Sequence, residues 1–334
     1  MTQSMTEPQQ LADRLDVSVI IPAYNGAALI GNQLDALAQQ ETNLSWEVIV
    51  ADNGSTDATP DIVRQRAASY PVDLRVVDAS ARRGVGPARN AGARASRGAV
   101  LLFCDVDDEV MPGWVDGAWN ALRQFDLVGG PNHELREPRD PQAPVVNPNT
   151  LWGRGEVKSA QGCNFGVRRD SFFCIGGFDE SLPPYGCEDV DYGIRLHEAG
   201  GTVGPAPTMS IHFRRTTGTR DALRKVYRSG IAEALVWEHH PDRFAGQVGR
   251  HAAWRALITW PTRKIAETVK ARRFDPRDSA RDLATHIAHV WAYQTLLKGG
   301  RVPDPIPLTP ADDPLRHAAA SLPTVAVAED NHDH

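Results

Sequence analysis

The chain has 334 residues, 41% hydrophobic and 23% charged, with a formal net charge of −6. That length suits one large α/β domain with an appendage, or two domains, and the charge lacks the basic excess of nucleic-acid binders. No apolar run approaches the roughly 18 residues that a membrane-crossing helix needs, and Met1 to Leu15 lack the apolar core of a signal peptide.

A cytoplasmic protein is therefore expected, with Cys104, Cys163, Cys174 and Cys187 kept as thiols because no two form a C-x-x-C pair. The β-branched run Val17 to Pro22 predicts a buried strand. Ile30, Leu34 and Leu37 then recur at helical spacing. A second strand over Trp46 to Ala51 stops at Asp52-Asn53-Gly54-Ser55, and the next helix has Ser55 or Thr56 as its expected cap, with Pro60 in its first turn. Leu74 to Val77 predicts a third strand, Pro87 to Ser96 a helix of small residues, and Ala99 to Cys104 a fourth strand running into Asp105-Val106-Asp107-Asp108. Alternating strands and helices predict a parallel, doubly wound sheet, in which ligands bind beyond the carboxyl ends of the strands. Tyr24-Asn25, Asp52-Asn53 and Asp105-Asp107 all stand at such ends.

Residues 131–158, rich in proline and charge, read as a long loop and a candidate lid. Helical spacing returns from 219 to about 299, and the segment after Pro303 has the composition of a disordered tail.

Asp105 and Asp107 carry the first chemical signal. Two carboxylates at i and i+2 after a buried strand repel each other, and a divalent cation such as Mg²⁺ or Mn²⁺ relieves that repulsion while offering a contact to a diphosphate. The full set of motifs is more specific. Val19 to Asn25, Asp52-Asn53-Gly54-Ser55-Thr56-Asp57, Gly86 to Gly92 and Asp105 to Asp108 occur in order, followed by Gly176-Gly177-Phe178-Asp179-Glu180 and Gly186-Cys187-Glu188-Asp189. In that order they resemble the nucleotide-binding and acceptor halves of family 2 glycosyltransferases, which have the GT-A fold, over about residues 17–215.

The resemblance implies a metal-dependent, inverting transfer of a sugar from a nucleoside diphosphate, a UDP-sugar first, to an acceptor hydroxyl. It implies Asp189 as the base and Glu188 as its neighbour holding the acceptor or orienting the base. Tyr24 and Asp52 would meet the nucleobase with Arg89 near it, Pro22, Asn25 and Gly84 would shape the donor site, and Cys163 and Asn164 would line the sugar and acceptor pocket. Asp105 with Val106 would face ribose and metal, Asp107 would ligate the metal, and His212 would be a further ligand. Arg214, Arg215 and Arg220 could close over the diphosphate, and Trp152 could wall the pocket.

Two departures are visible. Asn53 stands where many relatives have a second acid, with an expected influence on base choice, and Tyr185-Gly186 stands where relatives often have Trp-Gly. The expected organisation is a flexible start (1–15), a GT-A domain (16–215, donor half 16–130 and acceptor half 131–215), a helical region (216–300) and a disordered tail (301–334). The C-terminal helices, basic in places, could dock on an acceptor, a second subunit or the inner face of a membrane.

Rival readings weaken on inspection. A dinucleotide fingerprint fails because Arg89 takes the place of the third glycine after Gly84 and Gly86, and no phosphate-binding G-x-x-x-x-G-K-[ST] motif occurs. A sugar nucleotidyltransferase would have a basic glycine-rich loop where Ala23-Tyr24-Asn25-Gly26 stands. A processive synthase would have Gln-x-x-Arg-Trp, which is absent. A sugar-nucleotide-binding subunit without activity remains the non-enzyme alternative, opposed by the joint presence of Asp105, Asp107 and Asp189.

Overall fold

The computed structural model describes residues 14–136, 143–148, 151–152, 158–272, 274–298 and 301–315. The first half alternates as expected: β1 (Leu15–Ala23), α1 (Ile30–Ala38), β2 (Trp46–Asp52), α2 (Thr59–Ala67), β3 (Asp73–Asp78), α3 (Val85–Arg94) and β4 (Gly98–Cys104). The second half is more broken: β5 (Glu109–Val110), α4 (Trp114–Leu122), β6 (Leu127–Gly129), β7 (Asn132–Glu134), β8 (Val145–Asn147), β9 (Leu151–Trp152), β10 (Ser159–Ala160), β11 (Asn164–Arg168), α5 (Arg169–Cys174), α6 (Glu188–Glu198), β12 (Val203–Pro205) and β13 (Ile211–Phe213). Three long helices follow, α7 (Thr219–His239), α8 (Arg250–Ala271) and α9 (Pro276–Thr295).

Seven strands form the central sheet in the order β12-β6-β11-β4-β1-β2-β3. The pairs among β1 to β4 are parallel, as is β12 with β6, while β11 runs antiparallel to both β4 and β6. The sheet is therefore mostly parallel. Side chains alternate across it with period two. Val17, Val19, Ile21, Val100 and Leu102 meet Ile30, Leu34, Val63 and Trp114 on one face, and Ile20, Leu101 and Phe103 meet Ala93, Phe172, Tyr192 and Leu196 on the other. Continuous apolar runs are what a sheet covered on both faces requires. On the second face Phe178 and Tyr192 join one aromatic cluster, ring centroids 5.4 Å apart, and so anchor the chain on both sides of Glu188-Asp189.

Three expectations are corrected. The helix after Asp52 begins at Thr59 with no side-chain cap, although Pro60 does lie in its first turn. Ser55 instead accepts the Asn25 N–H at 2.9 Å, and Asp57 accepts the Thr59 N–H. The stretch 131–158 is not simply a loop, since β7 and β8 join β5 and β13 in a second sheet of order β5-β13-β7-β8; residues 137–142, 149–150 and 153–157 lie outside the described residues.

The tail expected to be disordered is built onto the domain as far as residue 315. Leu308 is buried in the second core and donates its N–H to the Gly176 carbonyl at 2.7 Å. Asp313 lies 2.8 Å from the buried guanidinium of Arg169. A buried arginine needs a counter-charge, and composition alone does not reveal that the tail supplies it. Residues 316–334 lie outside the described residues. Among the described residues, no helix is long and apolar enough to cross a membrane.

Candidate active site

β4 is buried along nearly its whole length and delivers Asp105 to Asp108 at its carboxyl end. One carboxylate oxygen each from Asp105, Asp107 and Asp108 lie within 4.8 Å of one another. Burial first, and then the Asp105 charge, push Asp107 above the ordinary carboxylate range and Asp108 well above it. Lys225 and Arg214 oppose the rise. Asp108 Oδ1 accepts the Arg214 N–H at 2.8 Å. Among the described residues, its buried Oδ2 has no hydrogen-bond partner.

An unmet carboxylate oxygen within a cluster of like charges is costly unless a cation joins it. The all-oxygen donor set suits Mg²⁺ or Mn²⁺, so the residues fit a divalent ion. Reading the sequence singled out Asp105 and Asp107 and missed Asp108, whose signal was its place as the third acid of the run. His212 lies in β13, opposite Glu109 and beside His133, outside that group of three.

The second acidic motif reaches the first through one side chain. Arg89, on α3 and 2% exposed, donates from Nη1 to Glu188 Oε1 at 2.6 Å and from Nη2 to Asp105 Oδ1 at 2.9 Å. Burial works against its charge, but Asp105, Glu188 and Asp189 more than offset this and hold it ionised. The guanidinium fits because Gly162 lies against it: a Cβ there would be 2.5 Å from Nη1. Arg89, expected near the nucleobase, bridges the two acidic motifs.

Glu188 and Asp189 open α6, whose N-terminal dipole favours acids. Asp189 Oδ2 accepts the Gly162 N–H at 3.0 Å and Oδ1 the Val190 N–H at 2.9 Å. Burial and the neighbouring Glu188 charge nevertheless push its carboxyl up to about 7, against the pull of Gly162 and Arg89. Tyr185 shares this field. Burial, then Asp105 and Glu188, push its phenol up to about 12. It was singled out in the sequence only as a departure from Trp-Gly.

Across the sheet's carboxyl edge, Pro22, next to last in β1, and Asp52, last in β2, are paired in register with Ala51 and Ala23. Tyr24 is 46% exposed, with the Arg83 guanidinium 4.6 Å above its ring, a contact that the sequence reading missed. Asn25, at φ 53, accepts the Thr56 N–H at 2.8 Å. Asn53, expected to bear on base choice, is buried and committed to the backbone. It donates to the Ala79 and Arg82 carbonyls at 2.5 and 2.9 Å and accepts the Gly84 N–H at 2.9 Å.

On the other side, Cys163 is buried with the Asn132 amide 3.6 Å from Sγ, and Asn164 Oδ1 accepts the Trp114 indole N–H at 2.9 Å. The Trp152 side chain lies outside the described residues. Of the three arginines expected over the diphosphate, Arg214 touches the acidic loop, donating from Nε to the Asp107 carbonyl at 3.1 Å. Arg215 lies 3.6 Å from Glu134, and Arg220 sits in the first turn of α7.

Comparison with known proteins bears on the family and the fold. The profile of glycosyl transferase family 2 matches residues 18–176, and that of the N-terminal domain of galactosyltransferase matches residues 147–218. Glycosyltransferase AglE of Haloferax volcanii is 33% identical over 230 residues, covering 66% of this chain and 74% of that protein. Validoxylamine A glucosyltransferase of Streptomyces hygroscopicus is 32% identical over 224 residues, covering 55% of this chain and 52% of its own length. In fold, the chain is similar to the mannosyltransferase PcManGT from Pyrobaculum calidifontis, solved with GDP-Man and Mn²⁺, at TM-score 0.57 and 20% identity over 84% of this chain and 88% of that one.

Proposed function

This chain belongs to glycosyl transferase family 2, and from that premise we propose that it transfers a sugar from a nucleoside diphosphate, a UDP-sugar first among the candidates, to an acceptor hydroxyl with inversion. The observation that carries this reading is the Arg89 bridge, because it puts the two acidic motifs on either side of a single guanidinium.

Displacement at an anomeric carbon needs a base for the attacking hydroxyl and stabilisation of the leaving diphosphate. In this reading Asp189 takes the hydroxyl proton as the acceptor oxygen bonds to the anomeric carbon and the bond to the diphosphate breaks. Its raised pKa suits that task near neutral pH. Glu188, fixed by Arg89, orients the acceptor, and Tyr185 borders the same space. Tyr24 and Asp52 hold the base and ribose side, while Arg214 steadies the acidic loop. A divalent cation, Mn²⁺ or Mg²⁺, held by Asp105, Asp107 and Asp108 with His212 as a further candidate, would supply Lewis-acid stabilisation of the diphosphate charge. The Mn²⁺ that accompanies GDP-Man in the mannosyltransferase structure supports that choice of ion.

Calorimetric titration with UDP, dTDP and GDP, each with Mn²⁺ and again with EDTA, tests the reading. Metal-dependent binding of one nucleotide, lost in Asp107→Ala, is the expected result. Equal binding with EDTA would remove the metal from the proposal, and no binding of any nucleotide would overturn it.

A further inference from the structure

Among the described residues, α8 lies at the periphery of the C-terminal helices. It packs on α9, which in turn packs on α7, and Ala253 is the only residue of its 22 that is buried among the described residues. Its inner side is accounted for: Leu257 packs against the C-terminal core, Trp260 donates its indole N–H to Asp282 at 2.8 Å, and Lys264 lies 3.1 Å from Asp278.

Among the described residues, a second apolar stripe has no such partner. Trp254, Ile258, Ile265 and Val269 are 37%, 70%, 64% and 71% exposed. Steps of four, seven and four residues bring them within roughly 60° of arc on a helix of about 3.6 residues per turn. Phe274, just beyond the helix, is 62% exposed. Leaving that much apolar surface in water on one helix is unusual for a monomeric surface.

The charges around the stripe say what covers it. In a chain of net charge −6, α8 carries five basic residues, Arg250, Arg255, Arg263, Lys264 and Lys270, against one acid, Glu267. All of the basic residues except Lys264 are exposed, as is Arg272 at the helix end. A symmetric contact between two copies would set these like charges against each other. An anionic lipid surface satisfies both features at once: the apolar residues enter the acyl boundary while lysine and arginine stems reach the headgroups.

We propose that α8 is an interfacial helix that seats the enzyme on an anionic membrane surface, with Trp254, Ile258, Ile265 and Val269 inserted and Arg250, Arg255, Lys270 and Arg272 on phosphate headgroups. This inference is independent of which sugar or base the active site takes.

Co-sedimentation of the full chain with vesicles of phosphatidylcholine mixed with phosphatidylglycerol, and with phosphatidylcholine alone, tests it. Binding to the mixed vesicles that weakens with salt is expected. Ile258→Ser combined with Ile265→Ser should lower the partition about ten-fold or more, with an unchanged thermal unfolding midpoint because both side chains are exposed. No binding to mixed vesicles at low ionic strength would overturn the proposal, as would equal binding by the double variant. So would a dimer in sedimentation velocity that the double variant abolishes, since the stripe would then be a self-association surface.

Discussion

Asp105 and Glu188 share one guanidinium: Arg89 lies between them, 2.9 Å from the first and 2.6 Å from the second. Truncating a buried partner strands the charges it compensated, a loss on the order of 3–5 kcal/mol. Because Asp105 is about a third exposed, solvent screens part of the loss, and Arg89→Met is expected at the low end, about 3 kcal/mol, in urea unfolding. A lysine offers one ammonium where the arginine forks to two carboxylates, so Arg89→Lys should recover part of the stability and little of the turnover. Wild-type turnover in Arg89→Met would mean that the bridge does not organise the site.

Asp189 gives a pH dependence with a definite sign. Its carboxyl is raised to about 7, and only the ionised form accepts a proton. Turnover should therefore fall as pH drops through about 7, while nucleotide binding, which does not use this group, keeps its own profile. An acid whose folded pKa is raised is penalised when ionised, so its native-state contribution is most favourable at low pH and is lost as pH rises through about 7. Asp189→Asn should thus lose turnover by orders of magnitude and yet be as stable as the wild type, or more so, at about pH 8. Retained turnover in this variant would take the base assignment away from Asp189.

The fold was legible where local physics dictates it. Val17 to Pro22, Trp46 to Ala51 and Ala99 to Cys104 are apolar runs that a doubly covered sheet demands, and the polar residues ending them mark the site. What was not legible depends on distant partners. Nothing near Arg89 in sequence foretells Glu188 across the fold, and nothing in the proline-rich tail foretells that Asp313 answers Arg169. Asn53 looked like part of the base pocket because position alone does not say whether an amide faces ligand or backbone. The antiparallel course of β11 was not legible either, since direction in a sheet is set by long-range pairing that its five residues do not encode.

The three-carboxylate cluster predicts opposite responses to one substitution. Without metal, Asp105, Asp107 and Asp108 repel one another in a poorly solvated place. Asp108→Asn removes one of those charges and still accepts the Arg214 N–H, so the metal-free protein should melt at a higher temperature than the wild type. Saturating Mn²⁺ should raise the midpoint of the wild type, by linkage to binding in the folded state, and raise that of Asp108→Asn much less. Equal Mn²⁺-induced shifts in differential scanning fluorimetry would exclude Asp108 from the ligand set.

Gly84 offers the sharpest test of how the donor and acceptor sides are joined. Its φ of 143 and ψ of 158 belong to backbone that side-chain-bearing residues rarely adopt. A Cβ there would lie 3.1 Å from the Pro184 Cα. The same turn is pinned by the Gly84 N–H to Asn53 and by the Val85 N–H to the Pro184 carbonyl at 3.2 Å. Gly84→Ala is therefore expected to cost about 1–3 kcal/mol of stability and also to push away the segment that carries Tyr185 and leads into Glu188, raising the KM for donor and acceptor together. Gly113 supplies the control. It has φ of 79, but nothing lies within 4 Å of where its Cβ would be. Gly113→Ala should lose stability of about 1 kcal/mol through backbone strain alone and leave both KM values unchanged. If the two variants shift KM alike, the coupling does not run through the contact between Gly84 and Pro184.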